Sequence, residues 1–497
     1  MDLTSNPHPH LFIDNRWVES DRPNRLPVVD PSTGEVIASV PDASARDTAT
    51  AVAAARRAFD HGPWPSLPPK DRAAHLLRLA EVMERRSSDL TAIVVKEGGF
   101  PVSQAGPVHV QTPIAHLRDV AERLLPAFPF TTPLAPHTGV TLTGVAQAIQ
   151  GVVANEPLGV AALITPFNAP IAGAVHKLAW ALAAGCTTVV KPSAHTSLAG
   201  LLLAELIDEA GFPPGVVNVI TGGLDAGIEL TTGPGVDVIS FTGSDAVGRQ
   251  VMAQASTRLT KVILELGGKS ANIVFADADL DRAAGEAVGN IVANCGQGCL
   301  LLTRTLIEDP VHDEFVERVR VMLSAVKVGD PADPTVMMGP LIRGEQRDRV
   351  EHIIADTKAQ GARVAFGGRR PAGLDRGFFL EPTLLVDADN SMRAAREEIF
   401  GPVGTVLRFR DDDQAVAIAN DSPYGLNAGV FTQDFARARA VAARIRTGMV
   451  NVNSSFGVHP DAPFGGRKAS GIGREGGAYG IAEFLTEKAV TWPVGKI

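Results

Sequence analysis

The segment "GVAALITPFNAPIAGAVHKLAWALAAG" (159–185), followed by "TTVVKP" (187–192), determines the fold class of this chain. It contains a β-branched run, a helical stretch and a second β-branched run. The rhythm continues through "VVNVITG" (216–222), "VDVISF" (236–241) and "KVILELG" (261–267), and a second series includes "ANIVF" (271–275), "GTVLRF" (404–409), "AGVFT" (428–432) and "GMVNVN" (448–453). Strands that alternate with helices form a parallel sheet covered on both faces. We therefore predict an α/β protein with two units of similar size.

Composition excludes several classes of partner. Of the 497 residues, 45% are hydrophobic and 20% are charged, and the net charge is −9. No block of like charges stands out, which argues against binding to nucleic acid or to an anionic membrane. The longest apolar stretch is broken by prolines, a histidine and a lysine, whereas a membrane span needs about 20 nearly uninterrupted apolar residues. The polar beginning of the chain lacks the apolar core of a signal peptide, so we expect a cytoplasmic protein.

The chain contains three cysteines, Cys186, Cys295 and Cys299. That number is too small for a disulfide framework in a chain of this size. No second pair of Cys or His residues stands at the spacing of a zinc site, so we expect no metal. Cys299 follows the turn "GQG" (296–298) and precedes three leucines. From these residues alone it is either a reactive thiol or a small buried side chain.

Two strand ends carry residues suited to an anionic ligand. "FTGSDAVG" (241–248) places Gly243 and Ser244 between a strand and a helix, where backbone N–H groups can hold a pyrophosphate. It lacks the G-x-G-x-x-G pattern, so a simple tight turn is an equal alternative. "VVKPSAH" (189–195) ends another strand with Lys191. A solvated charge is the ordinary fate of a lone lysine in that position.

Two polar residues stand inside apolar runs. Glu265, in "LELGGKS" (264–270), is either an acid paired in the core or a general base with a shifted pKa. Asn168, in "PFNAP" (166–170), is either a turn former or a donor to a developing oxyanion. Each stretch by itself favours the structural role.

Taken together, these motifs resemble those of the aldehyde dehydrogenase superfamily over nearly the whole chain. The stretches "PFNAP", "FTGS", "LELGGKS" and "GQGC" occur in the family's order, followed by "EEIFGPV" (397–403) and "PFGGRKASGIGRE" (463–475). The resemblance implies that Cys299 is the nucleophile. Asn168 and the backbone N–H of Cys299 would then donate to the oxyanion, and Glu265 would activate the water that hydrolyses the thioester. The presence of Glu265 implies a carboxylic acid as product and sets the chain apart from relatives that transfer the acyl group to coenzyme A.

The resemblance also implies a nicotinamide cofactor, NAD or NADP. The residues that match cofactor-binding positions of the family are Thr165, Pro166, Lys191, Ser193, Gly243, Ser244, Glu398 and Phe400. Many NAD-preferring relatives carry a glutamate three residues after the lysine, where this chain has Ala194, next to His195. We therefore expect NADP to be accepted, with the alternative that another group holds the ribose and NAD remains preferred.

The substrate tunnel is predicted to be wide and mainly apolar. Its expected lining residues are Ala169, Gly173, His176, Gly298, Leu300 and Val458, and His176 is alternatively a packed side chain. Many relatives place aromatic or methionine residues beside the asparagine, where this chain has small ones. Such a tunnel suits aromatic, terpenoid or medium-chain aldehydes, and the absence of a nearby Arg or Lys disfavours semialdehydes that bear a carboxylate.

The family pattern implies a Rossmann-like cofactor domain (1–124 and 151–263), an α/β catalytic domain (264–455) and a small β arm with the tail (125–150 and 456–497). The arm would join a neighbouring subunit, so we expect a homodimer or homotetramer. Two competing functions are a cysteine acyltransferase or hydrolase without redox chemistry, and a catalytically silent homologue. The first needs a well-placed His base. The second predicts the loss of Cys299, Glu265 or Asn168, and all three are present.

Overall fold

The computed structural model describes residues 10–140, 142–144, 146–455 and 459–494 of the chain. Its strands are, in chain order, β1 Leu11–Ile13, β2 Arg16–Val18, β3 Arg25–Asp30, β4 Glu35–Pro41, β5 Thr131–Val140, β6 Ala146–Pro157, β7 Val160–Ile164, β8 Thr187–Lys191, β9 Val217–Val219, β10 Val238–Thr242, β11 Lys261–Glu265, β12 Ala271–Val274, β13 Arg304–Glu308, β14 Arg363–Phe366, β15 Thr383–Val386, β16 Val403–Phe409, β17 Ala428–Phe431, β18 Asn451–Val452, β19 Gly471–Ile472 and β20 Leu485–Val494.

The helices are, in chain order, α1 Ala45–His61, α2 Pro69–Arg85, α3 Ser87–Gly98, α4 Val102–Gln104, α5 Thr112–Asp119, α6 Leu125–Ala127, α7 Pro170–Ala184, α8 Ser197–Ala210, α9 Leu224–Thr232, α10 Asp245–Ser256, α11 Leu280–Val292, α12 His312–Ser324, α13 Gly344–Ala359, α14 Arg393–Arg396, α15 Asp412–Asn420, α16 Phe435–Arg444 and α17 Gly477–Ala482. Two π-helical segments, Ala105–Gln111 and Val120–Leu124, flank α5.

Two large sheets confirm the predicted α/β class. The first has the order β19-β11-β10-β7-β8-β9-β1-β2, and the second has the order β14-β15-β16-β13-β12-β17-β18. In the first sheet β7 pairs in parallel with β8 on one side and with β10 on the other. The chain therefore moves outward from β7 through β8 and β9, then returns to the other side of β7 at β10. Doubly wound sheets bind their ligands at such a reversal point.

Both faces of the sheets are buried, which explains the unbroken apolar runs in the sequence. Along β7, Ala161 and Leu163 belong to one hydrophobic cluster, whereas Val160 and Ala162 belong to another on the opposite face. The second sheet likewise separates two clusters, and its strand β12 contributes to both. Among the described residues, no helix is long and apolar enough to cross a membrane.

A separate three-stranded sheet, in the order β20-β6-β5, forms the arm. Its strands pair antiparallel over nearly their full length. Several of its apolar side chains are exposed, among them Leu134, Val490 and Trp492. In the tail, β19 pairs with β11 of the first sheet, and Leu264 lies opposite Ile472. The predicted domain boundaries remain predictions.

Candidate active site

Three strand ends bring the predicted cofactor residues to one edge of the first sheet. Lys191 is the last residue of β8, and its carbonyl accepts a hydrogen bond from the backbone N–H of Thr165, at 3.1 Å, directly after β7. Gly243 and Ser244 follow β10. Because β7, β8 and β10 are parallel neighbours, their carboxyl ends share one edge, with Pro166 beside Thr165. This edge is the expected ligand crevice of a doubly wound sheet.

The turn after β10 packs closely against its neighbours and begins the helix α10. Ser244 caps α10, and its Oγ accepts the N–H of Val247 at 3.3 Å. A Cβ on Gly243 would lie 2.4 Å from the ring of Phe241, so any larger residue there would displace that ring. The Gly243 N–H donates to the carbonyl of Glu265 at 3.2 Å, which links this turn to β11. The turn places a capped helix N-terminus in the crevice, as the sequence predicts.

Glu398 and Phe400 lie on a turn that faces the glycines of "LELGGKS". Glu398 Oε1 accepts the N–H of Gly268 at 3.1 Å, and burial raises the pKa of Glu398 to about 7. Phe400 has a left-handed backbone (φ 53°), and its ring lies edge-on to Phe167 at 5.7 Å. Gln346 of α13 holds this turn, because its Nε2 donates to the carbonyls of residues 399 and 400. Sequence reasoning missed Gln346, and no local pattern marks it.

The loop before Cys299 has an unusual backbone. Asn294, Cys295 and Gly296 are all left-handed, with φ values of 48°, 55° and 69°. Such a run is sterically unfavourable for non-glycine residues and persists only where contacts enforce it. Asn294 supplies two of them, since its Oδ1 pairs with His109 Nε2 at 3.2 Å and its Nδ2 donates to the carbonyl of Asn168 at 3.2 Å. The loop is therefore tied to the turn that carries Asn168.

Cys299 is half-buried, whereas Cys186 and Cys295 are fully buried. Burial, with the negative charges of Glu398 and Glu265, raises the pKa of the Cys299 thiol to about 12. Asn168 is 9% exposed, and its Nδ2 donates to the carbonyl of Gln297 at 3.0 Å. The amide of Asn168 is thus bound to Gln297, which lies two residues before Cys299 in the chain.

Glu265 ends β11 and is 3% exposed. Neither of its carboxyl oxygens has a hydrogen-bond partner in the described part of the chain. Burial raises its pKa well above the usual range, and the charge of Glu475 adds to the effect, whereas Lys177 opposes it. Buried Lys177 donates to Ser240 Oγ and to Glu475 Oε1, each at 2.7 Å. Sequence reasoning did not single out Lys177 or Glu475, because only the fold brings them together.

The helix α7, which begins two residues after Asn168, is incompletely buried at two positions. Gly173 and His176 are its half-buried positions and all its other residues are buried, with half-buried Ala169 one turn before Gly173. His176 packs at 4.4 Å against His116, which in turn packs at 4.2 Å against Trp180.

The other predicted tunnel residues are distributed as follows. Gly298 and Leu300 flank Cys299 and are half-buried. Val458 lies outside the described residues. The positions beside Asn168 and Cys299 are therefore half-buried, and the tunnel that the sequence predicts there stays a prediction.

Comparison with known proteins extends over almost the full length. The model of the aldehyde dehydrogenase family matches residues 17–490. A geranial dehydrogenase of Castellaniella defragrans is 40% identical over 489 residues, which cover 97% of this chain and 98% of that protein. The structure of a Mycobacterium tuberculosis aldehyde dehydrogenase complexed with NAD+ superimposes with a TM-score of 0.92 at 41% identity, covering 98% and 99% of the two chains. An NADP-dependent enzyme of E. coli gives 0.91 at 36%, with 98% of each chain covered. Sequence, fold and strand-end geometry agree, and the chain belongs to the aldehyde dehydrogenase family.

Proposed function

We propose that this enzyme oxidises a bulky, mainly apolar aldehyde to the carboxylic acid, with NAD or NADP as the oxidant. The observation that carries the proposal is the buried carboxyl of Glu265, whose two oxygens have no hydrogen-bond partner among the described residues. A buried, unpaired carboxyl is unfavourable for folding, so its presence indicates a chemical role. Its location three residues before Gly268, on which a Cβ would lie 2.6 Å from the carbonyl of Cys299, supports hydrolysis of an acyl-enzyme.

In the first half of the reaction, the thiol of Cys299 releases its proton to solvent, and the resulting thiolate attacks the aldehyde carbon. Charge develops on the aldehyde oxygen, and Asn168 Nδ2, together with the backbone N–H of Cys299, would donate to it. One N–H of Nδ2 donates to the carbonyl of Gln297 at 3.0 Å, and the second N–H remains for the oxyanion. A donor of this kind typically contributes about 10²–10³ in rate. A bound nicotinamide would supply the acceptor for the hydride that leaves the carbon. The acyl group would then remain on the sulfur of Cys299 as a thioester.

In the second half, Glu265 removes a proton from the water that attacks the thioester. A carboxylate with a raised pKa is a stronger base towards water than an ordinary one. Burial and the charge of Glu475 raise the pKa of Glu265, and the Lys177 ammonium limits that rise. The acid is released and Cys299 recovers its thiol. No histidine of the described residues hydrogen-bonds to Cys299, which disfavours a thiol–histidine hydrolase.

The crevice residues fit a dinucleotide. The Gly243–Ser244 turn would hold the pyrophosphate, and Glu398 with Phe400 would hold the nicotinamide ribose and ring. Lys191 would bind the adenosine ribose, since its Nζ is buried but makes only one long hydrogen bond, at 3.4 Å, within the described chain. A buried ammonium with so few partners indicates a missing oxygen ligand.

The proposed substrate class rests on the small, half-buried residues at the start of α7. Ala169 and Gly173 are small residues beside Asn168, and a Cβ on Gly173 would already lie in tight contact with Pro166, at 3.3 Å. Leu300 adds an apolar wall next to Cys299. A pocket lined by small apolar residues binds its ligand mainly by burying the ligand's apolar surface. Aromatic, terpenoid and medium-chain aldehydes present such area, and the related geranial dehydrogenase is named for a terpenoid aldehyde.

The experiment is reduced-nicotinamide formation by the purified protein with NAD and NADP, against aliphatic and aromatic aldehydes of increasing size. We expect turnover that rises with apolar size and is abolished in Cys299→Ser. Cys295→Ser is the matched control, because Cys295 is a neighbouring thiol that is 2% exposed and should not react. Equal turnover in Cys299→Ser, or no oxidation of any aldehyde with either cofactor, would refute the proposal.

We further propose that the arm joins copies of this chain into a homodimer or homotetramer. Val490 and Trp492 of β20 are 44% and 43% exposed, and β5 leaves a free edge. Exposed apolar strands at a sheet edge associate readily with another chain. Light scattering of the wild-type protein should give the mass of a dimer or of a larger oligomer, and Trp492→Glu should weaken the association between subunits. A wild-type protein that is monomeric at micromolar concentration would contradict the proposal.

A further inference from the structure

A small cavity lies at one edge of the second sheet, where three neighbouring strands begin. The strands β12, β13 and β17 are parallel, and the cavity is lined by residues at or just before their first positions, among them Lys269, Ser270, Arg304 and the loop 424–427. The centre of a water-sized sphere can occupy about 10 Å³ of the cavity, which is room for a single particle of about that size. None of the described residues that line the cavity is acidic.

Two basic side chains in the cavity wall are buried without an acidic partner. Lys269 and Arg304 are each 1% exposed, and no carboxylate of the described chain forms an ion pair with either of them. Lys269 makes a single hydrogen bond within the described chain, from its Nζ to Thr303 Oγ1 at 3.2 Å. Burial and the charge of Arg304 lower the pKa of Lys269 to about 7, whereas the charge of Glu398 opposes this shift. Buried positive charge of this kind is unfavourable unless a ligand of opposite charge lies beside it.

The cavity wall is rich in unused hydrogen-bond donors. An ammonium group has three N–H donors, so two of those of Lys269 are unused, and Arg304 Nε and Ser270 Oγ have no partner in the described chain. Carbonyl oxygens of the wall already accept hydrogen bonds: that of Ser270 from the N–H of Arg304 at 3.3 Å, and those of Gly425 and Leu426 from backbone N–H groups at 2.9 to 3.1 Å. A water molecule accepts about two hydrogen bonds, so water would leave part of these donors without a partner.

The acidic groups that act on the two basic side chains do not neutralise them. Asp421 acts on Arg304, but its carboxylate already pairs with Arg396 at 2.9 Å. Glu398 acts on Lys269 electrostatically without forming an ion pair with it. A small anion in the cavity would therefore meet two basic side chains and no competing carboxylate.

We propose that this cavity binds a monatomic anion, chloride, between Lys269 and Arg304. Such an ion accepts hydrogen bonds from several directions and offers no donor of its own, so it matches a wall of donors. Phosphate and sulfate are too large for the space. Because the ion binds the folded chain and neutralises buried charge where β12 and β13 begin, it stabilises the folded enzyme. The site does not depend on the proposed oxidation, so it stands or falls separately from that function.

Bromide is a probe that diffraction can locate. Crystals of the intact enzyme are soaked in sodium bromide, and data are collected at the bromine absorption edge. We expect an anomalous peak in the cavity, within hydrogen-bond distance of Lys269 Nζ and Arg304 Nε. A cavity that holds only water, while bromide occupies other positions on the protein, would overturn the proposal.

Thermal unfolding measures whether the ion is bound in solution. When sodium chloride replaces sodium gluconate at constant ionic strength, the Tm of the wild type should rise by about 1 °C for each tenfold increase in chloride above the dissociation constant. Lys269→Met should lose this dependence. Lys358→Met, which removes an exposed lysine of α13, is the matched control and should retain it.

Ser270→Ala keeps the test decisive if Lys269→Met does not fold. It removes one neutral donor from the cavity wall, so about tenfold more chloride should be needed for the same rise in Tm. A wild-type Tm that does not respond to chloride, or a response that is the same in Ser270→Ala and in the wild type, would identify an adventitious ion only and overturn the proposal.

Discussion

Replacing Asn168 by alanine tests the oxyanion role of its amide most directly. Asn168 is 9% exposed, so its Nδ2 acts in surroundings that screen charge poorly. Loss of one preorganised donor to an oxyanion costs about 2.7–4 kcal/mol, or about 10²–10³ in rate. In this protein one N–H of Nδ2 donates to the carbonyl of Gln297, 3.0 Å away, and holds the amide in place while the second N–H is available to the oxyanion. The expected loss is therefore about 10²–10³ in kcat/KM.

The assay is the initial rate of aldehyde oxidation at saturating cofactor, for wild type, Asn168→Ala and Asn168→Asp. The aspartate variant keeps the size of the side chain but places negative charge beside the developing oxyanion, so it should lose more activity than the alanine variant. Alkylation of Cys299 by iodoacetamide provides a second readout, because that reaction forms no oxyanion. Its rate should change less than about twofold in Asn168→Ala, since the thiol itself is untouched.

Two results would refute this reasoning. If Asn168→Ala lost less than about fivefold in kcat/KM, the amide would not act on the transition state to the extent that a buried donor should. If alkylation of Cys299 fell in parallel with oxidation, the amide would act by holding the loop through Gln297. Asn168 would then be a positioning residue for the thiol and not an oxyanion donor.

Three further predictions concern the surroundings of the thiol and the base. In Gly267→Ala the new Cβ would lie 2.1 Å from Glu398 Oε2, so Glu398 must move, and initial rates should show a KM for the cofactor raised at least about tenfold with a smaller change in kcat. Burial raises the pKa of Cys299 to about 12, so its alkylation in the cofactor-free protein should accelerate about tenfold per pH unit from about pH 7 to 9 without a plateau. Lys177→Met removes a charge that lowers the pKa of Glu265, so the pH below which kcat falls should move upward, whereas Lys177→Arg should retain the wild-type profile.

Much of the fold could be predicted because burial on both faces of a parallel sheet leaves a local trace. The strand β7 is buried at every position, and its residues alternate between two hydrophobic clusters. The run "VAALI" therefore reads as a strand without any knowledge of its neighbours. The cap of α10 is equally local, since Ser244 needs only the N–H of Val247, three residues away. Strand ends, and with them the crevice, follow from such patterns.

The supports of the site could not be predicted in the same way, because their partners are distant in sequence. Asn294 pairs with His109, 185 residues away, and also donates to Asn168, 126 residues away. Lys177 meets Glu475 across 298 residues. In the left-handed run before the nucleophile, only Gly296 gives a local signal, since Asn294 and Cys295 adopt that backbone under contacts from elsewhere. Resemblance to a family predicted which residues react, and tertiary structure was needed to identify what holds those residues in place.

The motif "LELGGKS" shows how one short stretch serves both halves of the site. Glu265 ends β11, where the strand leaves the sheet and its carboxyl has no partner among the described residues. Gly267 then leaves room for Glu398, since a Cβ would approach its Oε2 to 2.1 Å, and Gly268 leaves room for the carbonyl of Cys299, which a Cβ would approach to 2.6 Å. The N–H of Gly268 also donates to Glu398. The two glycines therefore let one peptide segment approach Glu398 and the backbone of Cys299 at once. A side chain at Gly267 would displace Glu398, and one at Gly268 would displace the carbonyl of Cys299, so either change would disturb the arrangement on which the proposed reaction depends.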